Sequence, residues 1–131
     1  MKKFIILLIL ILSISSYSQI YNYKATAFAS KHINDYGYWT TWTEWQYSDV
    51  KIIFNSYTDI ITIYSKTPQV YNVKEYLGKT EEIDGSTQIH WIVRDMDYLK
   101  AKIRLRKEYR GTLQLYVEYS DIIWVYNIKQ I

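Results

Sequence analysis

The sequence predicts an all-β domain: a single antiparallel meander of seven or eight strands, closed or flattened into a small barrel, with a two-layer β-sandwich as the alternative architecture. Three observations predict it. Apolar and polar residues alternate with a period of two through most of the chain. The links between alternating runs hold two to five residues, which suits hairpins and is too short for parallel crossovers. No stretch carries a sustained 3.6-residue period bounded by helix caps.

The runs can be taken in order. Residues 20–30 set Tyr21, Tyr23, Ala25 and Ala27 against Asn22, Lys24 and Thr26. In 50–55, Val50, Ile52 and Phe54 alternate with Lys51 and Asn55. Residues 60–65 are β-branched almost throughout. Residues 70–76 follow Pro68, the only proline, which sits where a turn belongs. Residues 87–94 put Ile89, Trp91 and Val93 on one face and His90 on the other. The clearest run is 98–107, where Leu99, Ala101, Ile103 and Leu105 alternate with Lys100, Lys102, Arg104 and Arg106. Residues 112–119 carry Leu113, Leu115, Val117 and Tyr119 on one face, and 122–128 contain Trp124, Val125 and Tyr126. Asp84-Gly85, Asp95-Met96-Asp97, Arg110-Gly111 and Ser120-Asp121 supply the turns. The stretch 31–46 breaks the spacing and reads as a structured loop or irregular strand. An open meander leaves two strand edges to manage, and closure removes them.

Length and composition narrow the possibilities further. The chain has 131 residues, enough for one domain. With 18% aromatic residues and one Pro it is not a disordered tail. With no Cys it has no disulfide framework, thiolate metal site or Cys nucleophile. Residues 1–18 read as a secretory signal: Lys2 and Lys3, then nine apolar residues from Phe4 to Leu12, then small residues at Ser16 and Ser18. Nine apolar residues fall short of the ~20 that span a bilayer as a helix. Cleavage is expected before Gln19, leaving 19–131 as one exported domain, periplasmic or secreted, with no transmembrane span. Of 16 Lys+Arg, two leave with the signal, so 14 face 13 Asp+Glu, a net charge of +1. A near-neutral domain gives no argument for nucleic acid as a partner.

The densest unusual segment runs from Tyr36 to Tyr47, with Trp39, Trp42 and Trp45 at a spacing of three. On a strand, that spacing sends Trp39 and Trp45 to one face and Trp42 to the other. Trp39, Trp42, Trp45, Tyr36 and Tyr38 are therefore candidate ligand-binding residues, their rings suited to stacking on a sugar or packing on a protein partner. The alternative is a segment that buries these rings against the core. Lys100, Lys102, Arg104 and Arg106 form a basic row that suits an anion; the alternative is a solvated sheet face diluted by Gln114, Tyr116 and Glu118 on the next strand.

Catalytic spacing is absent. His32 and His90 fall in no HxH or HExxH pattern, so no metal ligand is assigned, and no cofactor is expected. No GxSxG occurs, and the four glycines stand singly, without a phosphate-cradling loop. Asp84, Asp95 and Asp97 are explained by turn chemistry, and no catalytic residue is assigned.

Two resemblances follow from these residues. Gly37-Tyr38-Trp39 resembles the Gly-x-Trp element near the first strand of lipocalins, secreted eight-stranded barrels that hold small apolar ligands. Here the element follows a strand-like run, and no ligand contact carries over. The Tyr36-Gly37-Tyr38-Trp39-Thr40 run, Ile61-Thr62-Ile63-Tyr64-Ser65 and the segment from Leu113 to Asp121 are similar to small exported β-rich proteins of Bacteroidota and their phages. That resemblance implies compartment and fold. The leading expectation is an exported, non-enzymatic binding or interaction module that presents aromatic residues to a small molecule, glycan or protein. The rivals are a glycan- or peptidoglycan-acting hydrolase using paired carboxylates such as Glu44, Asp95 or Asp97, and a structural envelope-associated protein.

Overall fold

The structure, a computed structural model, describes residues 20–131. The expected signal and its cleavage point lie outside the described residues. Eight strands follow in chain order: β1 (Ile20–His32), β2 (Gln46–Asn55), β3 (Ile60–Ile63), β4 (Gln69–Glu81), β5 (Thr87–Arg94), β6 (Lys100–Lys107), β7 (Leu113–Glu118) and β8 (Ile122–Gln130). Each pairs antiparallel with the next, and β8 returns to pair with β1, so the meander closes as a barrel and not as a sandwich. Among the described residues, no helix is long and apolar enough to cross a membrane.

The alternation seen in the sequence becomes an inside and an outside. Every strand contributes to one buried cluster, from Tyr21, Tyr23 and Ala25 on β1 to Tyr126 and Ile128 on β8. An eight-stranded barrel is just wide enough for side chains to fill. Phe54 of β2 meets Tyr23 of β1 at 5.5 Å and reaches across to Trp91 of β5 at 5.7 Å between ring centroids. The centre is thus occupied by rings. Fully burying each large apolar side chain contributes about 1.5–3 kcal/mol, which is how the fold manages without disulfides.

Two departures from simple alternation have local causes. A bulge between Ala25 and Ala27 reverses the faces of β1. The expected inward row of Tyr21, Tyr23, Ala25 and Ala27 therefore breaks: Phe28 packs against the interior, and Ala29 is buried on the outer side. β4 extends to Glu81, five residues beyond the expected end at Tyr76. Register shifts at Val73/Glu75 and Tyr76/Gly78 scramble its period, with Gly78 at φ +112°.

One five-residue turn occurs four times. Its first amide bonds the fifth carbonyl, and its fourth amide returns to the first carbonyl. It spans 34–38 in the β1–β2 loop, 82–86 between β4 and β5, 95–99 between β5 and β6, and 108–112 between β6 and β7, with N···O distances of 2.8–3.0 Å. The fourth residue has positive φ in each: Gly37 +83°, Gly85 +87°, Gly111 +93° and Tyr98 +63°. The turns between β2 and β3, β4 and β5, and β6 and β7 lie at one end, called the base. The long β1–β2 loop and the remaining turns lie at the other end, the mouth.

Candidate functional site

The β1–β2 loop is pinned along its length. Asn34 Oδ1 accepts the amides of Tyr36 and Tyr38 at 2.9 and 3.1 Å. The Thr40 amide bonds the His32 carbonyl while Thr40 Oγ1 accepts the His32 amide. Thr43 repeats this pairing with Ser30. These bonds extend the ladder beside β1 without regular strand geometry, so side chains need not alternate. Trp42 and Trp45 accordingly sit on the same side, over Ala29 and Val125, and not on opposite faces as the spacing predicts. The aromatic rings stay accessible: Trp39, Trp42 and Trp45 are 42%, 40% and 49% exposed, and Tyr36 and Tyr38 are 85% and 72% exposed. The alternative in which this segment buries its rings against the core is not what the fold adopts.

Between Trp42 and Trp45 lies a cleft of about 180 Å³, with Ala29 and Val125 as its apolar floor and Tyr116 and Thr43 at its sides. A row of alternating cations and rings runs past it. Arg104 stacks on Tyr116 at 3.8 Å, Trp42 meets Tyr116 edge-on at 6.2 Å, and Lys31 lies 4.8 Å from Trp42 and 5.6 Å from Trp39. The basic row and the aromatic segment, separate in the sequence, thus meet through Tyr116.

The rest of the basic row faces outward as expected, opposite Glu118, Tyr116 and Gln114 on β7. Its arginines are engaged within the sheet. Arg104 donates to Gln88 Oε1 at 2.7 Å and to Glu118 Oε2 at 3.2 Å. Arg106 donates to Gln114 Oε1 at 3.2 Å and to Asp84 Oδ2 at 3.0 Å. Hydrogen bonds from Ser86, then the Arg106 charge, hold Asp84 below the usual carboxylate range. Lys100 is exposed and Lys102 half-buried. His90 faces this network, with Nε2 3.3 Å from Thr80 Oγ1. Burial, then the charges of Lys102 and Arg104, push its pKa down. His32 ends β1 at the loop. Among the described residues, no three His, Asp or Glu side chains gather as a metal site would require.

The mouth itself holds a cavity of about 480 Å³ that sequence reasoning missed. Its floor includes Tyr71 of β4, 2% exposed. Tyr119 and Trp124, rings 5.6 Å apart, form one wall, and the β3–β4 and β5–β6 turns form the others. Tyr71 Oη donates to Gln69 Oε1 at 2.6 Å, and Tyr119 Oη donates to Asp95 Oδ2 at 2.8 Å. Gln69 Nε2 donates to Ser65 Oγ at 3.0 Å and to Tyr126 Oη at 3.2 Å. Asp95 Oδ1 accepts the amides of Asp97 and Leu99. Burial pulls the Asp95 carboxyl upward, but these bonds from Tyr119, Leu99 and Asp97 outweigh it, and its pKa lies below the usual value. Burial, then the bond to Asp95, pushes Tyr119 up to about 12. Burial raises Tyr71 as well. Turn residues Asp95 and Asp97 were visible in the sequence, but their convergence with Tyr71, Tyr119 and Trp124 depends on barrel closure. The chain matches no family model, no curated protein and no solved structure.

Proposed function

We propose that the chain is an exported, non-enzymatic binding module whose ledge of Trp39, Trp42 and Trp45, with Tyr36 and Tyr38, recognises a glycan. One observation carries this reading. Three tryptophans stand two-fifths to one-half exposed on a loop held by its own hydrogen bonds, while the other two, Trp91 and Trp124, are buried and half-buried against the core. Large exposed rings on a rigid base bind with little ordering cost. The cleft between Trp42 and Trp45 takes one ring-sized group, and the ring faces suit the apolar face of a sugar. Residues 1–18 supply the support for export.

The rival hydrolase has less support. Both carboxylate oxygens of Asp95 are hydrogen-bonded, one within its own turn and one to Tyr119, and its lowered pKa is unsuited to a general acid. Glu44 is not among the residues lining the mouth with Asp95 and Asp97.

The test is tryptophan fluorescence of residues 19–131 titrated with soluble oligosaccharides. A saturable change is expected, weakened about tenfold or more by Trp42→Ala or Trp45→Ala, as for hot-spot aromatics. Saturable binding of peptides with no response to any glycan would replace the glycan by a protein partner. Binding that survives loss of both rings would remove the ledge from the reading.

A further inference from the structure

We propose that the barrel mouth is a second, separate binding site that accepts a small organic cation, an amine or alkylammonium carried on an apolar body. The hydrogen-bond inventory of the cavity leads there. The hydroxyl protons of Tyr71, Tyr119 and Ser65 go to Gln69, Asp95 and the Thr67 carbonyl, and the Gln69 amide donates to Ser65 and Tyr126. Those donors are engaged inside the wall, which leaves the Trp124 indole N–H, the Thr67 hydroxyl and Lys66 as the other side-chain donors of the lining, beside oxygen lone pairs and ring faces. A guest that brings donors of its own is met by the carboxylates and the ring faces.

Charge selects further. Asp95 and Asp97 both line the cavity, and Lys66 at the rim is the one basic side chain among its lining residues. Asp95 is held in place by its turn amides and by Tyr119, so its carboxylate meets a guest without reorganising. Tyr71, Tyr119 and Trp124 supply aromatic faces, which attract cations through the ring quadrupole. Met96 and Pro68 add apolar walls. The volume lies within the range of small-molecule sites. Two carboxylates against one lysine, with three aromatic faces and apolar walls, match an ammonium group with an apolar substituent better than an anion.

Isothermal titration with phenethylamine and its neutral isostere 2-phenylethanol tests this at pH 7, where the amine is charged. The amine should bind saturably, with the alcohol about tenfold weaker or more, the loss expected when a cation leaves an aromatic and carboxylate site. Asp97→Asn should weaken the amine about threefold or more, and Lys66→Gln should strengthen it by about twofold, since these are solvent-screened charges. Asp95→Asn should weaken it most, but it also alters a turn, so Asp97 and Lys66 carry the charge test if that variant does not fold. Tyr57→Ser, at the base, should leave binding unchanged. Equal affinity for amine and alcohol, failure of both to bind at millimolar concentration, or indifference of the amine to both Asp97→Asn and Lys66→Gln would each overturn the proposal. None of these outcomes depends on the aromatic ledge, which is probed separately with sugars.

Discussion

Two turns at the base of the barrel and one at its mouth share a backbone plan and differ in one residue. At the base, the β4–β5 and β6–β7 turns place Gly85 and Gly111 at their positive-φ position. At the mouth, the β5–β6 turn places Tyr98 there, at φ +63°, with its ring 82% exposed. A side chain in this conformation costs about 1–2 kcal/mol, because Cβ crowds the following carbonyl. The β4–β5 and β6–β7 turns are relaxed at this point and the β5–β6 turn is strained. The strain persists because Asp95 Oδ1 accepts two amides of the turn and Arg94 donates to the Tyr98 carbonyl at 3.1 Å. Backbone strain of this kind collects where side chains are held for recognition, and the strained turn is also a wall of the mouth cavity.

The largest expected effect concerns what the ends share. Tyr23, whose β1 strand begins at the base, and Tyr119 at the mouth are both pushed up to about 12, in each case first by burial. A raised folded-state value means the native form holds the proton more tightly. Their contribution is complete below pH 10 and is lost as pH rises from 10 towards 12. For the more deeply buried Tyr23 the loss is roughly 2–3 kcal/mol over that window. Urea midpoints measured across it should fall steadily, and a flat profile to pH 12 would show that neither hydroxyl is desolvated.

Glycine substitutions at the base come next. Gly85→Ala combines positive φ with a Cβ only 2.8 Å from Tyr109 Cδ2. It should cost about 2 kcal/mol. Gly111→Ala meets nothing within 4 Å. Backbone strain alone should then cost about 1 kcal/mol. Equal losses in denaturant unfolding would mean that Tyr109 simply swings away. The smallest effect is a gain. Tyr98→Gly relieves the mouth turn but loosens the unfolded chain, so a net stabilisation of about 0.5 kcal/mol is expected. A destabilised Tyr98→Gly would show that the tyrosine is held by contacts stronger than its strain.

Most of the barrel was legible because period two and turn chemistry act locally. In β6, Lys100 to Lys107 follow the predicted alternation, but Leu99, expected in the same inward row, lies in the turn before the strand and is 57% exposed. Glu118, Tyr116 and Gln114 stand opposite Lys102, Arg104 and Arg106 as expected. β4 was shortened in the reading because two register shifts near Gly78 destroy its period. The tryptophan faces were misassigned because Thr40 and Thr43 bond β1 through side chains, outside strand geometry. The mouth was invisible for a different reason. Gln69 and Tyr126 are 57 residues apart, and Asp95 and Tyr119 are 24 apart, so only the closed sheet brings them together. Exposure of the ledge was left open in the sequence, since a ring-rich segment serves a core or a surface equally well.

Closure has a kinetic consequence. Seven of the eight ladders join strands that are neighbours in the chain, and each can zip from its own turn. The remaining ladder pairs β1 with β8, where Thr26 and Asn127, 101 residues apart, meet. The largest single loop-closure cost of the fold falls on that seam. The bulge at Ala25–Ala27, which shifts register towards β2 and β8 alike, sits on it. Pairing at the seam therefore comes last and slowest in assembly, a clasp on an otherwise local chain of hairpins.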